Sequence, residues 1–171
     1  MAERPGVITL QGNPVTLEGQ VLHVGDPAPD FEVINNDLEP FRLSSLKGKV
    51  VVICSVPSLD TPTCDIETRW FNEEAAKLGP EVVILTISMD LPFAQKRWCG
   101  AAGVNHVMTF SDHRQADFGL AYGVLIKELR LLARAVFVVD KKGVLRYIQV
   151  VKEVAYEPNY GEVLQAIASL T

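Results

Sequence analysis

Residues 49–64 read KVVVICSVPSLDTPTC. The first half, Lys49 to Val56, is a nearly unbroken β-branched run, the pattern of a strand buried on both faces of a sheet. The second half is turn chemistry: Pro57, Ser58, Asp60 and Thr61 end the strand, and Pro62 has the fixed φ that suits the first turn of a helix. Helical character then runs from about Pro62 to Leu78, with Ile66, Trp70, Phe71 and Ala75 on one side, and Gly79 and Pro80 stop it. Strand, polar turn, helix, with Cys64 at the mouth of the helix: that order predicts an α/β unit. It also raises a question about the cysteine. Free cysteine is often a small apolar plug, and at a helix start it is often a reactive thiolate.

Outward from this unit the same alternation continues. Before it, VITLQGNPVTLEGQVLHVG alternates apolar and polar residues around Gly, Asn and Pro, which predicts a β-hairpin. DFEVINND predicts a short strand and FRLSSLKGK a turn. After it come a buried strand in EVVILTISMD, a short helix in LPFAQKRWCGAAG ending at glycine, a strand in HVMTFSD and a short helix in RQADFGLAYGV. LLARAVFVVDKKGVLRYIQVV predicts two strands joined by a tight turn at Asp140 to Gly143. NYGEVLQAIASL predicts a terminal helix capped by Asn159. Parallel strands in the middle with an antiparallel pair at the end make a mixed sheet. The layout fits a thioredoxin-like three-layer α/β sandwich with an N-terminal β-hairpin extension, one domain over residues 1–171.

Composition narrows the function classes. Lys plus Arg number 16 and Asp plus Glu 21, a net charge of −5, which argues against a nucleic-acid partner. No apolar run is long enough to cross a bilayer, and MAERPGVITLQGNP lacks the apolar core of a signal peptide. A cytoplasmic protein is expected, without a membrane partner. The three cysteines, Cys54, Cys64 and Cys99, are too few and scattered for a disulfide framework. A disulfide among them in a reducing compartment would be transient and catalytic. His23, His106 and His113 lack ligand spacing, so no metal site is expected. Trp70, Phe71, Phe93 and Trp98 fall at helical positions and read as packing residues, and Cys54, inside the strand, reads as inert.

Cys64 has more chemistry around it. Free N–H groups and the positive end of the helix dipole stabilise a thiolate over a thiol, and the thiolate is the nucleophile. Asp65 works against this, so a further cation is needed. Thr61, three residues earlier, can bring its hydroxyl near the sulfur. Arg134 enters a buried strand, where a charge requires an anionic partner, and a thiolate would serve. Arg130 reads as a solvated surface residue. A general disulfide oxidoreductase would carry a Cys-x-x-Cys pair, and none exists here. A thioredoxin-fold scaffold with inert cysteines stays open on these residues alone.

Pro57, Thr61 and Cys64 form the PxxxTxxC pattern of the peroxiredoxins. LQGNPVTLEG, PSLDTPTC, SMDLPFAQKRWCG and LLARAVFVVD, in this order across nearly the whole chain, resemble the thiol peroxidase subgroup, an atypical 2-Cys class. The resemblance implies a peroxidatic role for Cys64 and a resolving role for Cys99 in the same chain. It implies that Arg134 is the active-site arginine and that Thr61 and Pro57 line the peroxide pocket. It also implies an intrachain Cys64–Cys99 disulfide, hydrogen peroxide and organic hydroperoxides as substrates, thioredoxin as reductant, a homodimer, and no metal or organic cofactor. If the two cysteines stand more than about 7 Å apart at Cα in the reduced fold, one of their helices must locally unwind.

Overall fold

The computed structural model describes residues 2–171. The Lys49–Val56 run forms a central strand, and its alternation explains the layers around it. Strands are β1 (Glu3–Leu10), β2 (Asn13–Glu18), β3 (Glu32–Ile34), β4 (Pro40–Arg42), β5 (Val50–Ser55), β6 (Val82–Ser88), β7 (Met108–Ser111), β8 (Leu125–Ile126), β9 (Leu131–Leu132), β10 (Ala135–Val139) and β11 (Leu145–Val150). Helices are α1 (Pro62–Lys77), α2 (Pro92–Ala102), α3 (Asp117–Ala121) and α4 (Tyr160–Ala168). A seven-stranded sheet runs β11-β10-β5-β6-β7-β3-β4. β5, β6 and β7 are parallel, and β10, β11, β3 and β4 join antiparallel, so the sheet is mixed as expected.

Successive β5 side chains point to opposite faces, and both faces are buried. Val50, Val52 and Cys54 pack with Phe71 of α1 and with Val163 and Ile167 of α4, and Trp98 and Ala102 of α2 pack against the same cluster. Val51 and Ile53 pack on the other side with Phe118 of α3 and with Ile8, Leu17, Ile126 and Leu132. The second outer layer is therefore partly a sheet. The predicted hairpin β1–β2 does not stand alone: β2 pairs with β8, and β8 with β9, in a four-stranded sheet β1-β2-β8-β9. Its tight turn uses Gln11 and Gly12 at φ of 51° and 82°, the left-handed pair that a two-residue hairpin turn requires. A Cβ at Gly19 would stand 2.3 Å from the Leu120 carbonyl oxygen, so glycine there lets the hairpin close onto α3.

Three expectations shift in detail. FRLSSLKGK holds the end of β4 and a short 3-10 turn, Leu43–Leu46, rather than only a turn. Ile66 is 52% exposed, while Glu67 and Thr68 are buried with Phe71, so the inner face of α1 is rotated from the one apolar residues alone would choose. Phe93 is 67% exposed rather than packed.

Candidate active site

Cys64 is the third residue of α1. Thr61 is the N-cap, Pro62 opens the helix, and the Cys64 N–H donates to Thr61 Oγ1 at 3.4 Å. The first turn is held from three sides. Thr61 Oγ1 donates to the Ser58 carbonyl at 3.1 Å. Thr63 Oγ1 donates to the Ala155 carbonyl at 3.0 Å. Asp90, at the end of β6, accepts from Ser58 Oγ at 2.7 Å and from the Leu59 N–H at 2.8 Å. Ser88 Oγ donates to the same carboxylate and accepts from Gln95 Nε2 of α2, so one network joins the Cys64 loop to α2. Pro57 is buried where β5 passes into this loop.

The Cys64 side chain is fully buried, in a small cluster with Val56 and Leu59, and Trp98 packs against it. On its polar side stands Arg134, 1% exposed, immediately before β10. Arg134 Nε donates to the Val154 carbonyl at 3.0 Å and Nη1 to Glu67 Oε1 at 2.9 Å. Burial pulls the guanidinium pKa down, but the neighbouring Cys64 and Glu67 side chains outweigh it and hold the group above its ordinary value. Arg134 is thus a cation standing next to Cys64. Its anionic partner, however, is a carboxylate as well as a thiol.

Glu67 is the site residue that the sequence reading missed. It lies one helical turn after Cys64, so the two share a face. Burial raises its pKa to about 7 against the attraction of Arg134. Its Oε2 is buried with no hydrogen-bond partner. The signal was indirect: a buried arginine demands an acid, and Glu67 is the acid at helical spacing from the cysteine.

Asp65 does not oppose the thiolate with a free charge. Its carboxylate accepts from Trp98 Nε1 at 2.9 Å and from Arg69 Nε at 3.0 Å. Cys99 is not brought to Cys64. It is half-buried against β7, with Sγ 3.4 Å from Thr109 Oγ1, beside a cleft of about 250 Å³ shared with Asn36 and Phe41. All three cysteines are free. Cys54 is buried in β5, which pushes its thiol well up. A groove of about 410 Å³ next to the Cys64 loop is lined by Leu59, Asp60, Asp90, Ala94, Arg97 and Trp98.

The family model described as Redoxin matches residues 23–164. The chain belongs to the redoxin family. Among curated redoxin relatives, the thiol peroxidase of Bacillus subtilis is 56% identical over 95% of this chain and 97% of that protein. The thiol peroxidase of Listeria monocytogenes is 54% identical over 93% and 96%. A crystal structure of a peroxiredoxin-like protein from Aquifex aeolicus superposes with a TM-score of 0.91 at 46% identity, covering 97% of this chain and 98% of that one. A thiol peroxidase from Chromobacterium violaceum, at 17% identity and a TM-score of 0.84, shares the fold. The redoxin chain described above is thus a peroxiredoxin of the thiol peroxidase group, with thiol-dependent peroxidase activity and a thioredoxin-like fold.

Proposed function

We propose that this chain reduces hydrogen peroxide and organic hydroperoxides through a Cys64 sulfenic acid and an intrachain Cys64–Cys99 disulfide, recycled by thioredoxin. The observation that carries the reading is Cys64 in the first turn of α1 beside the buried guanidinium of Arg134. The helix start and Arg134 favour the thiolate. Its sulfur attacks one peroxide oxygen, the O–O bond breaks, and the leaving oxygen departs as water or an alcohol after taking up a proton. Cys64 is oxidised to the sulfenic acid as the peroxide is reduced. Arg134, fixed by Glu67 and the Val154 carbonyl, meets the charge that builds on the oxygens and needs no reorganisation to do so. The Thr61 hydroxyl donates a hydrogen bond to the Ser58 carbonyl in the resting protein and turns its O–H toward a bound peroxide. Pro57 shapes the floor of the pocket and offers no N–H to water.

Cys99 then supplies its thiol. The Cys64–OH group leaves as water and the S–S bond forms. A thioredoxin dithiol returns both cysteines by exchange and is itself oxidised. Electrons come from thiols at every step, so the reaction calls for no metal or organic cofactor. The groove beside Leu59 and Trp98 suits the alkyl part of a larger hydroperoxide. Exposed Ile66, Leu91, Phe93 and Tyr156 lie on segments around the Cys64 loop and support a homodimer. Among the described residues no helix is long and apolar enough to cross a membrane. A thioredoxin-recycled enzyme works in a reducing compartment, and we place it in the cytoplasm.

In a thioredoxin-coupled assay, Cys64→Ser is expected to abolish peroxide reduction. Cys99→Ser is expected to consume one equivalent of peroxide per chain and then stop. Turnover by Cys64→Ser would overturn the peroxidatic assignment, and full recycling of Cys99→Ser by thioredoxin would remove Cys99 from the resolving role.

A further inference from the structure

We propose that Asp65, Arg69 and Trp98 form a latch between α1 and α2 that must open before Cys99 can reach Cys64, so that these three residues set the lifetime of the sulfenic acid. The proposal rests on the resolving role given above to Cys99.

The two helices are tied by a closed set of contacts. Trp98 Nε1 donates to Asp65 Oδ1 at 2.9 Å. Arg69 Nε donates to Asp65 Oδ2 at 3.0 Å, and Arg69 Nη1 reaches the Ala102 carbonyl at 3.3 Å at the far end of α2. The same guanidinium lies 5.8 Å from the centre of the Trp98 ring, in cation–π range. Asp65 directly follows Cys64, and Trp98 directly precedes Cys99. Each cysteine is therefore one residue from a latch residue, on a different side of its helix.

The consequence is geometric. The residue of α2 that packs against the Cys64 cluster is Trp98, whereas Cys99 faces β7 and Thr109. The thiol cannot replace the indole while the latch is closed. Forming the disulfide requires α2 to turn or its last turns to melt, which breaks the Trp98–Asp65 and Arg69–Ala102 hydrogen bonds. Asp65 and Trp98 are half-buried and Arg69 is exposed, so opening is a local event rather than global unfolding. The sulfenic acid meanwhile has two fates. Condensation with the Cys99 thiol forms S–S and releases water. Reaction with a second peroxide adds an oxygen to sulfur, gives the sulfinic acid and releases water or alcohol. A tighter latch favours the second fate.

The test is rapid-quench mass spectrometry of the reduced full-length protein with hydrogen peroxide, comparing wild type, Arg69→Gln and Trp98→Phe. Losing one such hydrogen bond is worth about a threefold to tenfold change. Both variants are expected to form the Cys64–Cys99 disulfide faster by that factor and to accumulate less sulfinic acid at excess peroxide. The first oxidation of Cys64 is measured for each variant in a Cys99→Ser background, and the disulfide rate is expected to rise without a matching rise in that first step, which general loosening of the fold would not give. Disulfide rates equal to or slower than wild type in both variants overturn the latch. Absence of any Cys64–Cys99 disulfide in the wild type is a different result: it removes the resolving role of Cys99, and the latch with it.

Discussion

Glu67 and Cys64 share one guanidinium, and two buried acids cannot both be anions beside a single cation without leaving uncompensated charge. Burial holds Glu67 near pKa 7, above its ordinary 4.5. A raised acid contributes its stability while neutral, fully below about pH 4.5, and loses it as pH rises through 7. That shift corresponds to about 3 kcal/mol. Glu67→Gln should therefore flatten the dependence of unfolding free energy on pH between 5 and 8, as urea titrations at the two ends would measure. The same ionisation governs Arg134: above pH 7 the carboxylate competes with the thiolate for the guanidinium. The kcat/KM profile for peroxide is expected to bend near pH 7 in the wild type and to lose that bend in Glu67→Gln. At this scale the sequence was informative about Cys64, Thr61 and Pro57, because a helix start, an N-cap and a turn are local. Arg134 was legible as a charge in an apolar run. Glu67 was not, since a glutamate next to Ile66 in a helix reads as a solvated residue, and its partner lies 67 residues away, just before β10.

Among the elements, the loop of residues 151–159 does more than connect β11 to α4. It offers the Val154 carbonyl to Arg134 and the Ala155 carbonyl to Thr63 of α1. Glu153 fixes that loop to the N-terminal hairpin: its carboxylate accepts from Thr9 Oγ1, the Gly12 N–H and the Ala155 N–H at 2.8–2.9 Å. Those backbone bonds lower its pKa to about 2. A depressed acid contributes stability above its ordinary 4.5, lost as pH falls toward 2. Glu153→Gln should lower Tm by a few degrees at pH 7 and converge with wild type near pH 2 in thermal scans, and its kcat/KM should fall because the support of Arg134 loosens. The hairpin itself was readable from its alternation and its Gln11–Gly12 turn. Its extension by β8 and β9 was not, since those strands have two residues each and β8 meets β2 only across a long sequence separation. The parallel core of β5, β6 and β7 was readable because strands buried on both faces leave continuous apolar runs.

Across the whole molecule, the cores on the two faces of the main sheet make a rigid frame, and the chemistry sits where that frame gives way to loops and helix ends. Some of the exposed apolar residues, Ile66, Leu91, Phe93 and Tyr156, sit on segments that flank the Cys64 loop. Phe93, 67% exposed, is the largest of them on α2. If the proposed homodimer uses this face, Phe93→Asp shifts the protein toward monomer in sedimentation velocity at micromolar concentration while its fold is retained; a monomeric wild type would dispose of the proposed dimer. The separation of Cys99 from Cys64 was foreseeable only as a condition, because helical residues near each other in sequence say nothing about which face of α2 meets α1. It makes the oxidation chemistry a matter of motion as well as placement. The most direct measurement is a disulfide map of the reduced protein after one equivalent of hydrogen peroxide. The account predicts a single Cys64–Cys99 bond within one chain, with Cys54 left as a thiol. Prompt oxidation that spares Cys64, or no prompt oxidation of any cysteine, would contradict it.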